Sequence, residues 1–148
     1  MKPGLVLAKA WSDEDLVGLH VEACDGVAAA AVDIYSSPAQ LLTLAGDLAR
    51  FAGIIDTRVF ECALGRFGDG FALGALHMRM QFQLNGRLHI TLRLQSAFAE
   101  FGQERVASEA TLHLRSEPAL LDEFVRGLTA MATSGCTDAA LEVGGALR

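Results

Sequence analysis

The sequence predicts a two-layer α+β domain: one antiparallel sheet of five to six strands, with two amphipathic helices packed on one face. Residues 76–94 alternate apolar and polar side chains almost without a break. Such alternation is typical of strands that have one buried and one solvated face. Two other segments start with serine and proline signals and then repeat apolar residues at helical spacing. The predicted order of elements is ββαββββα.

An Asn-Gly pair at 85–86 marks a hairpin within the alternating stretch. A two-residue loop would place Phe82 opposite His89 and would mix apolar and polar side chains on both faces. A three-residue loop over 84–86, with its glycine in the left-handed conformation, instead pairs Phe82 with Leu88. We therefore predict the odd-length loop.

The first half contains two predicted strands, 16–24 and 27–35, on either side of an Asp-Gly turn. The alanine run in the second of them has weak strand propensity, but its position between a turn and a capped helix favours a strand. The helix that follows begins at Ser37, with proline at its first position and a glutamine as capping-box partner. It ends at Gly53.

The second half adds a strand at 59–64, the central hairpin and a last strand at 105–115, preceded by a loop. A Ser-Glu-Pro sequence at 116–118 then begins the second helix in the manner of the first. The two halves share these helix starts, and we identify no further internal sequence repeat. We expect a single domain over 1–148 with its core in 15–131. The tail, 132–148, lacks periodicity, which is compatible with partial disorder.

Composition narrows the classes of function. The chain has 148 residues, 51 % of them apolar, with a net charge of −6. No apolar run approaches the roughly 20 residues that span a bilayer, and an acidic protein is a poor nucleic-acid binder because phosphate contacts need clustered Lys and Arg. Three cysteines form neither a disulfide framework nor a metal-ligand spacing. We expect a cytoplasmic protein that binds neither membrane nor nucleic acid.

No catalytic, metal or cofactor-binding motif stands out. His77, His89 and His113 share one parity and could approach one another as zinc ligands or acid–base groups, but histidine on a solvated strand face is the simpler interpretation. Cys62 alternates with apolar residues, which indicates a buried, unreactive thiol. The Gly-rich segment 65–70 leads into a strand and lacks the Gly-Lys-Ser/Thr ending of phosphate-binding loops. We predict no catalytic residue, no metal and no cofactor.

The polar face of the central strands is the predicted protein-binding surface, because its outward side chains form one polar and basic area. Its residues are His77, Arg79, Gln81, His89, Arg93, His113 and Arg115.

The pattern of elements resembles small bacterial immunity proteins of the WapI type and related domains. The similar parts are the strand end at 32–35, the apolar helix pattern of 41–51, the long hairpin, the strand at 111–114 and the second helix pattern of 121–128. The resemblance implies a protein that binds and blocks a toxin-like partner without catalysis. The resemblance assigns no active-site residue to this chain. The net negative charge of the chain favours association with a basic partner.

Other classes of function stay open. A helix followed by long antiparallel strands is also what hot-dog folds show, so a ligand-binding or thioesterase-like domain is the alternative. The basic sheet face could bind an acidic patch, or pair with a second copy in a homodimer. A structural or regulatory interaction module is the third possibility.

Overall fold

The computed structural model describes residues 2–70 and 72–144. These residues form an α+β fold with two helices, α1 (Pro38–Ala52) and α2 (Pro118–Thr133). The strands are β1 (Gly4–Ser12), β2 (Val17–Cys24), β3 (Ala29–Ser36), β4 (Val59–Gly65), β5 (Ala75–Phe82), β6 (Leu88–Gln95), β7 (Ala99–Phe101), β8 (Glu104–Val106), β9 (Glu109–Ser116) and β10 (Asp138–Glu142). Phe71 and residues 145–148 of the predicted tail lie outside the described residues.

The strands form three antiparallel sheets, so the prediction of one sheet of five to six strands is wrong. The first sheet has the order β10-β1-β2-β3 and the second β4-β5-β6-β9, while β7 and β8 form a two-stranded ribbon. β3 and β9 lie at sheet edges and do not pair with each other. Among the described strands, neither edge strand of the first sheet (β10 or β3) pairs with an edge strand of the second (β4 or β9), so the two four-stranded sheets are separate.

The two sheets are built from two equivalent units. β1-β2-β3-α1-β4 is followed by β5-β6-β9-α2-β10, with the β7–β8 ribbon as an insertion. β3 and β9 have the same sequence of exposed and buried positions, they end at Ser36 and Ser116, and the helices begin at Pro38 and Pro118. The shared helix starts are therefore one part of a structural repeat that we did not identify from the sequence.

Each unit gives its last strand to the other unit's sheet. β4 follows α1 in the chain but pairs with β5, whereas β10 follows α2 and pairs with β1. This exchange places one strand of each half at the edge of the opposite sheet. It ties the two halves into one fold.

The predicted hairpin register is confirmed. Phe82 pairs with Leu88, and the pairing continues along both strands in the predicted register. The backbone N–H of Gln83 donates to the carbonyl of Arg87 at 2.7 Å and closes a three-residue loop. Gly86 has φ 83°, in the left-handed region.

Replacing Gly86 with valine is expected to destabilise the protein by about 1 kcal/mol or more, because a β-branched residue is strained at positive φ. Thermal unfolding followed by circular dichroism measures the effect. Leu84→Val is the control, since Leu84 lies in the same loop with its side chain 98 % exposed. An unchanged melting temperature for Gly86→Val would count against the left-handed loop.

The helix starts follow the sequence signals with two differences. The Ser37 hydroxyl accepts a hydrogen bond from the backbone N–H of Gln40 at 3.1 Å, as predicted for an N-cap. The Gln40 side chain accepts a hydrogen bond from Ser36 rather than completing a capping box. In α2, Ser116 is buried and donates to the carbonyl of Glu142 at 2.7 Å, so it joins the helix start to β10 instead of capping the helix.

One hydrophobic core lies between the inner faces of both sheets and the two helices. Both helices bury their stripes at equivalent positions: Leu41, Leu44, Leu48 and Phe51 in α1, and Leu121, Phe124, Leu128 and Met131 in α2. Phe51 stacks on Phe82 of the second sheet, with ring centroids 5.1 Å apart. The apolar faces of both sheets are therefore covered from within, and their polar faces point outward.

Three strands, β1, β7 and β10, were not predicted from the sequence, and β8 and β9 were predicted as one strand over 105–115. The alternation of β1 is interrupted by a bulge between Lys9 and Trp11, which hides its period. β10 is short and rich in alanine, and β7 and β8 have three residues each. Signals of this length are weak in a single sequence.

The two sheets meet where β3 runs across one end of the second sheet. Gly74 lies so close to β3 that an added Cβ atom would come within 2.0 Å of the carbonyl oxygen of Asp33. The equivalent junction places β9 beside the end of the first sheet, where the Gly144 N–H donates to the Arg115 carbonyl at 3.1 Å. Close backbone contact thus fixes the position of each sheet against the other.

Candidate protein-binding surface

The outward residues of the second sheet form a grid of cross-strand rows. The rows, in the strand order β4-β5-β6-β9, are Val59-Gln81-His89-Arg115, Glu61-Arg79-Thr91-His113 and Ala63-His77-Arg93-Thr111. All residues of the predicted binding surface lie in this grid. We call His77, Arg79, Gln81, His89, Arg93, His113 and Arg115 the basic face. Their role in binding stays a prediction.

Some charges of the basic face are already paired within the chain. His77 lies 3.4 Å from the Glu61 carboxylate, and Arg93 lies 3.4 Å from that of Glu109. The Arg93 guanidinium also lies 4.5 Å from the centre of the Phe67 ring. Arg79 is exposed and has no ion-pair partner among residues 2–70 and 72–144. The charge of Arg79 is thus available to a partner.

A concavity of about 480 Å³ opens on the basic face, lined by Arg79, His89, His113 and Arg115 among others. Asp25 also lines the concavity, and one of its carboxylate oxygens accepts a hydrogen bond from the backbone N–H of His113 at 3.3 Å. Hydrogen bonds from the backbone N–H groups of the Asp25 turn lower the pKa of this carboxyl. The concavity thus combines basic and polar side chains with one carboxylate.

The histidines of the basic face are spread over three strands. His113 Nδ1 lies 3.2 Å from the Thr91 hydroxyl, and His77 faces Glu61. Within the described part of the chain, no three His, Cys, Asp or Glu side chains are grouped in a way that could hold a metal ion.

The side chain of Cys62, a residue of β4, lies beside α1. Burial, with a smaller contribution from the Asp47 carboxylate, raises the pKa of its thiol to about 12. A thiol with such a pKa stays protonated near neutral pH and is a poor nucleophile, in agreement with the unreactive cysteine predicted from the sequence.

The outward face of the first sheet is acidic, and the sequence analysis did not single it out. It presents the carboxylates of Glu22, Asp33 and Asp138 together with His20, Trp11 and Tyr35. We call these residues the acidic face. It carries no lysine or arginine among the outward strand positions that the structure describes.

An aromatic pair stands at one end of the acidic face. Trp11 lies over Gly18 of the neighbouring strand, and its ring centroid is 5.9 Å from that of Tyr35. Trp11 and Tyr35 are 44 % and 48 % exposed, so about half of each side chain is open to solvent on this face. The bulge in β1 lets Trp11 cover the glycine on the outward side.

His20 is held between two carboxylates of the acidic face. Its Nδ1 lies 2.7 Å from Asp33 and its Nε2 lies 3.2 Å from Glu22. The hydrogen bond to Asp33, supported by Glu22, raises the pKa of His20 above its ordinary value of 6.5. Sequence alternation places His20 and Glu22 outward, but the contact with Asp33 depends on the pairing register of β2 and β3.

His20 is expected to make stability depend on pH. Because its pKa is raised in the folded state, its contribution is fully present below pH 6.5 and is lost as the pH rises through the folded pKa. Melting temperatures of the wild type and of His20→Gln measured across this window should converge at the alkaline end. Asp122→Asn, which removes an exposed carboxylate of α2 and not one in the cross-strand row of His20, should keep the wild-type profile. Parallel profiles for wild type and His20→Gln would contradict the assignment.

Comparison with known proteins gives no family assignment. No family model, no curated protein and no solved structure matches the chain. Among the described residues, neither helix is both long and apolar enough to cross a membrane.

Proposed function

We propose that this chain is a non-catalytic protein-binding domain that binds an acidic patch of its partner through the basic face. The observation that carries the proposal is the exposed Arg79, which has no ion-pair partner among the described residues and lies between the outward side chains of His77 and Gln81 on β5. Arginine suits this role because its planar guanidinium can form two parallel hydrogen bonds with a carboxylate.

The surroundings of Arg79 support the same function. The basic face lies on a sheet of four antiparallel strands, and the opposite side of this sheet packs in the hydrophobic core. Binding then requires little ordering of the backbone, which lowers the entropic cost of association. Opposite charge on the partner would also accelerate encounter.

The resemblance to immunity proteins of the WapI type extends the proposal. The partner is then a toxin-like protein, and the domain neutralises it by covering its surface. None of the three cysteines, all of them among the described residues, forms a disulfide, which suits the reducing cytoplasm in which such a protein would act.

A pull-down from the lysate of the native host tests the proposal, with mass spectrometry of the retained proteins. Wild type should retain one protein in a one-to-one complex that Arg79→Glu loses. Arg126→Glu is the matched control, because it makes the same charge change at an exposed position of α2. If Arg79→Glu retains the partner as well as wild type does, the basic face is not the binding surface.

The toxin proposal is tested separately by expressing the retained partner alone and together with this chain. Growth arrest by the partner that the wild-type chain relieves, and that Arg79→Glu does not, would support neutralisation. A partner that is harmless when expressed alone would contradict it while leaving protein binding intact.

A small-ligand-binding function is the second candidate, favoured by the concavity of about 480 Å³ on the basic face. A thioesterase-like reaction has less support. Hot-dog enzymes need a catalytic carboxylate or polar group at the helix start, and here the Ser36 hydroxyl is buried and bonded to Gln40. Native mass spectrometry of the purified protein would reveal a bound ligand.

A further inference from the structure

The equivalent faces of the two units carry opposite charges. The strand registers place Glu22 of the first sheet at the position that Arg93 occupies in the second, and Asp33 at the position of His113. The backbone frameworks of the two faces are therefore alike, while at these two positions acidic side chains of the first sheet replace basic side chains of the second. Surfaces of this kind attract one another.

The shapes of the two faces also fit one another. The acidic face has small outward residues, Ala8 on β1 and Ala31 on β3, in the strips that flank His20 and Glu22 of β2. The basic face carries long arginine and glutamine side chains that can lie along such a strip. At the end of the strip, the half-exposed rings of Trp11 and Tyr35 offer a surface on which a guanidinium can stack.

We propose that the basic face of one copy of this chain docks on the acidic face of a second copy, in a head-to-tail contact. The proposal builds on the basic face as a docking surface and names a second copy as its occupant. The carboxylates of Glu22 and Asp33 receive the guanidinium group of Arg79 and that of Arg93, which exchanges its exposed ion pair with Glu109 for one with the second copy. Because the two contacting faces differ, each docked pair leaves one free face of each kind, and further copies can add.

Sedimentation equilibrium of the purified wild-type chain tests whether copies associate. The weight-average mass should exceed the monomer mass of 15.7 kDa as the concentration approaches about 1 mM, where weak contacts become populated. It should return to the monomer value at about 1 M salt, where the Debye length falls to about 3 Å. A monomeric mass at every concentration in low salt would overturn the proposal.

Charge reversal of one face at a time identifies the contact. Glu22→Lys with Asp33→Lys should weaken self-association at least about tenfold, and Arg79→Glu with Arg93→Glu should do the same. Matched controls make the same charge changes on the helices: Asp122→Lys with Glu123→Lys, and Arg50→Glu with Arg126→Glu. Controls that weaken association as strongly would show that only the net charge matters.

Mixing the two face variants gives the sharpest result. The acidic-face variant keeps a wild-type basic face and the basic-face variant keeps a wild-type acidic face, so the mixture should associate although neither variant associates alone. Trp11 is the single tryptophan of the chain, so its fluorescence reports directly on the acidic face. A mixture that stays monomeric would overturn the head-to-tail contact. If Arg79→Glu still abolishes retention of the lysate partner, the proposed function stands without it.

Discussion

Replacing Gly74 with alanine is expected to destabilise the protein by about 3 kcal/mol or more, near the upper end of overpacking effects. An added Cβ atom would lie 2.0 Å from the carbonyl oxygen of Asp33 and 3.0 Å from its carbonyl carbon. Both atoms belong to the backbone of β3, so no side-chain rotation relieves the overlap. The junction between the two sheets would have to open.

Urea denaturation measures this effect, and Gly46→Ala is the control. Gly46 lies in α1, where an added Cβ would meet only Arg50 at 3.7 Å, so alanine should stabilise the helix by about 1 kcal/mol or less. A Gly74→Ala variant as stable as wild type would mean that the backbone of β3 is not in close contact with Gly74.

Replacing Phe82 with alanine is expected to cost about 3–5 kcal/mol, as found for large aromatic residues deleted from a core. Phe82 is fully buried at the end of β5, and its ring stacks on Phe51 of α1 at 5.1 Å and 18°. The deletion leaves a cavity between the helix of one unit and the sheet of the other. Phe101→Ala is the control, because Phe101 is 74 % exposed and should change stability little. Equal stability of the two variants would place Phe82 outside the core.

Local signals in the sequence were sufficient for the elements that have strong ones. The hairpin loop follows from alternation and one Asn-Gly pair, and the start of α1 follows from Ser37 and Pro38. Outward parity alone placed Arg79, His89 and Arg93 on one exposed face. In each case neighbours in sequence decide the structure.

The pattern of apolar and polar residues did not predict which strands pair across the two units. Nothing in the alternation of β4 indicates that it joins β5 and leaves its own unit, and nothing in β10 indicates that it pairs with β1. These choices depend on which apolar faces meet in the shared core. The acidic face was missed for the same reason, since His20 meets Asp33 only through the register of two strands.

The two units also differ where they pack against their exchanged strands. Gly127 of α2 lets that helix approach β10, because an added Cβ would lie 2.9 Å from the Cβ of Ala139. At the equivalent place α1 carries Asp47, which faces Cys62 of β4 across a cavity of about 290 Å³. The same framework is thus tightly packed in one half and more open in the other.

Site-specific photo-crosslinking tests the basic face as the partner-binding surface most directly. A photoreactive amino acid in place of Gln81 lies on the basic face, and one in place of Leu42 lies on the exposed side of α1. The account predicts that, in the lysate of the native host, position 81 crosslinks to the partner retained in the pull-down and position 42 does not. Crosslinking of that partner from position 42 alone would contradict it.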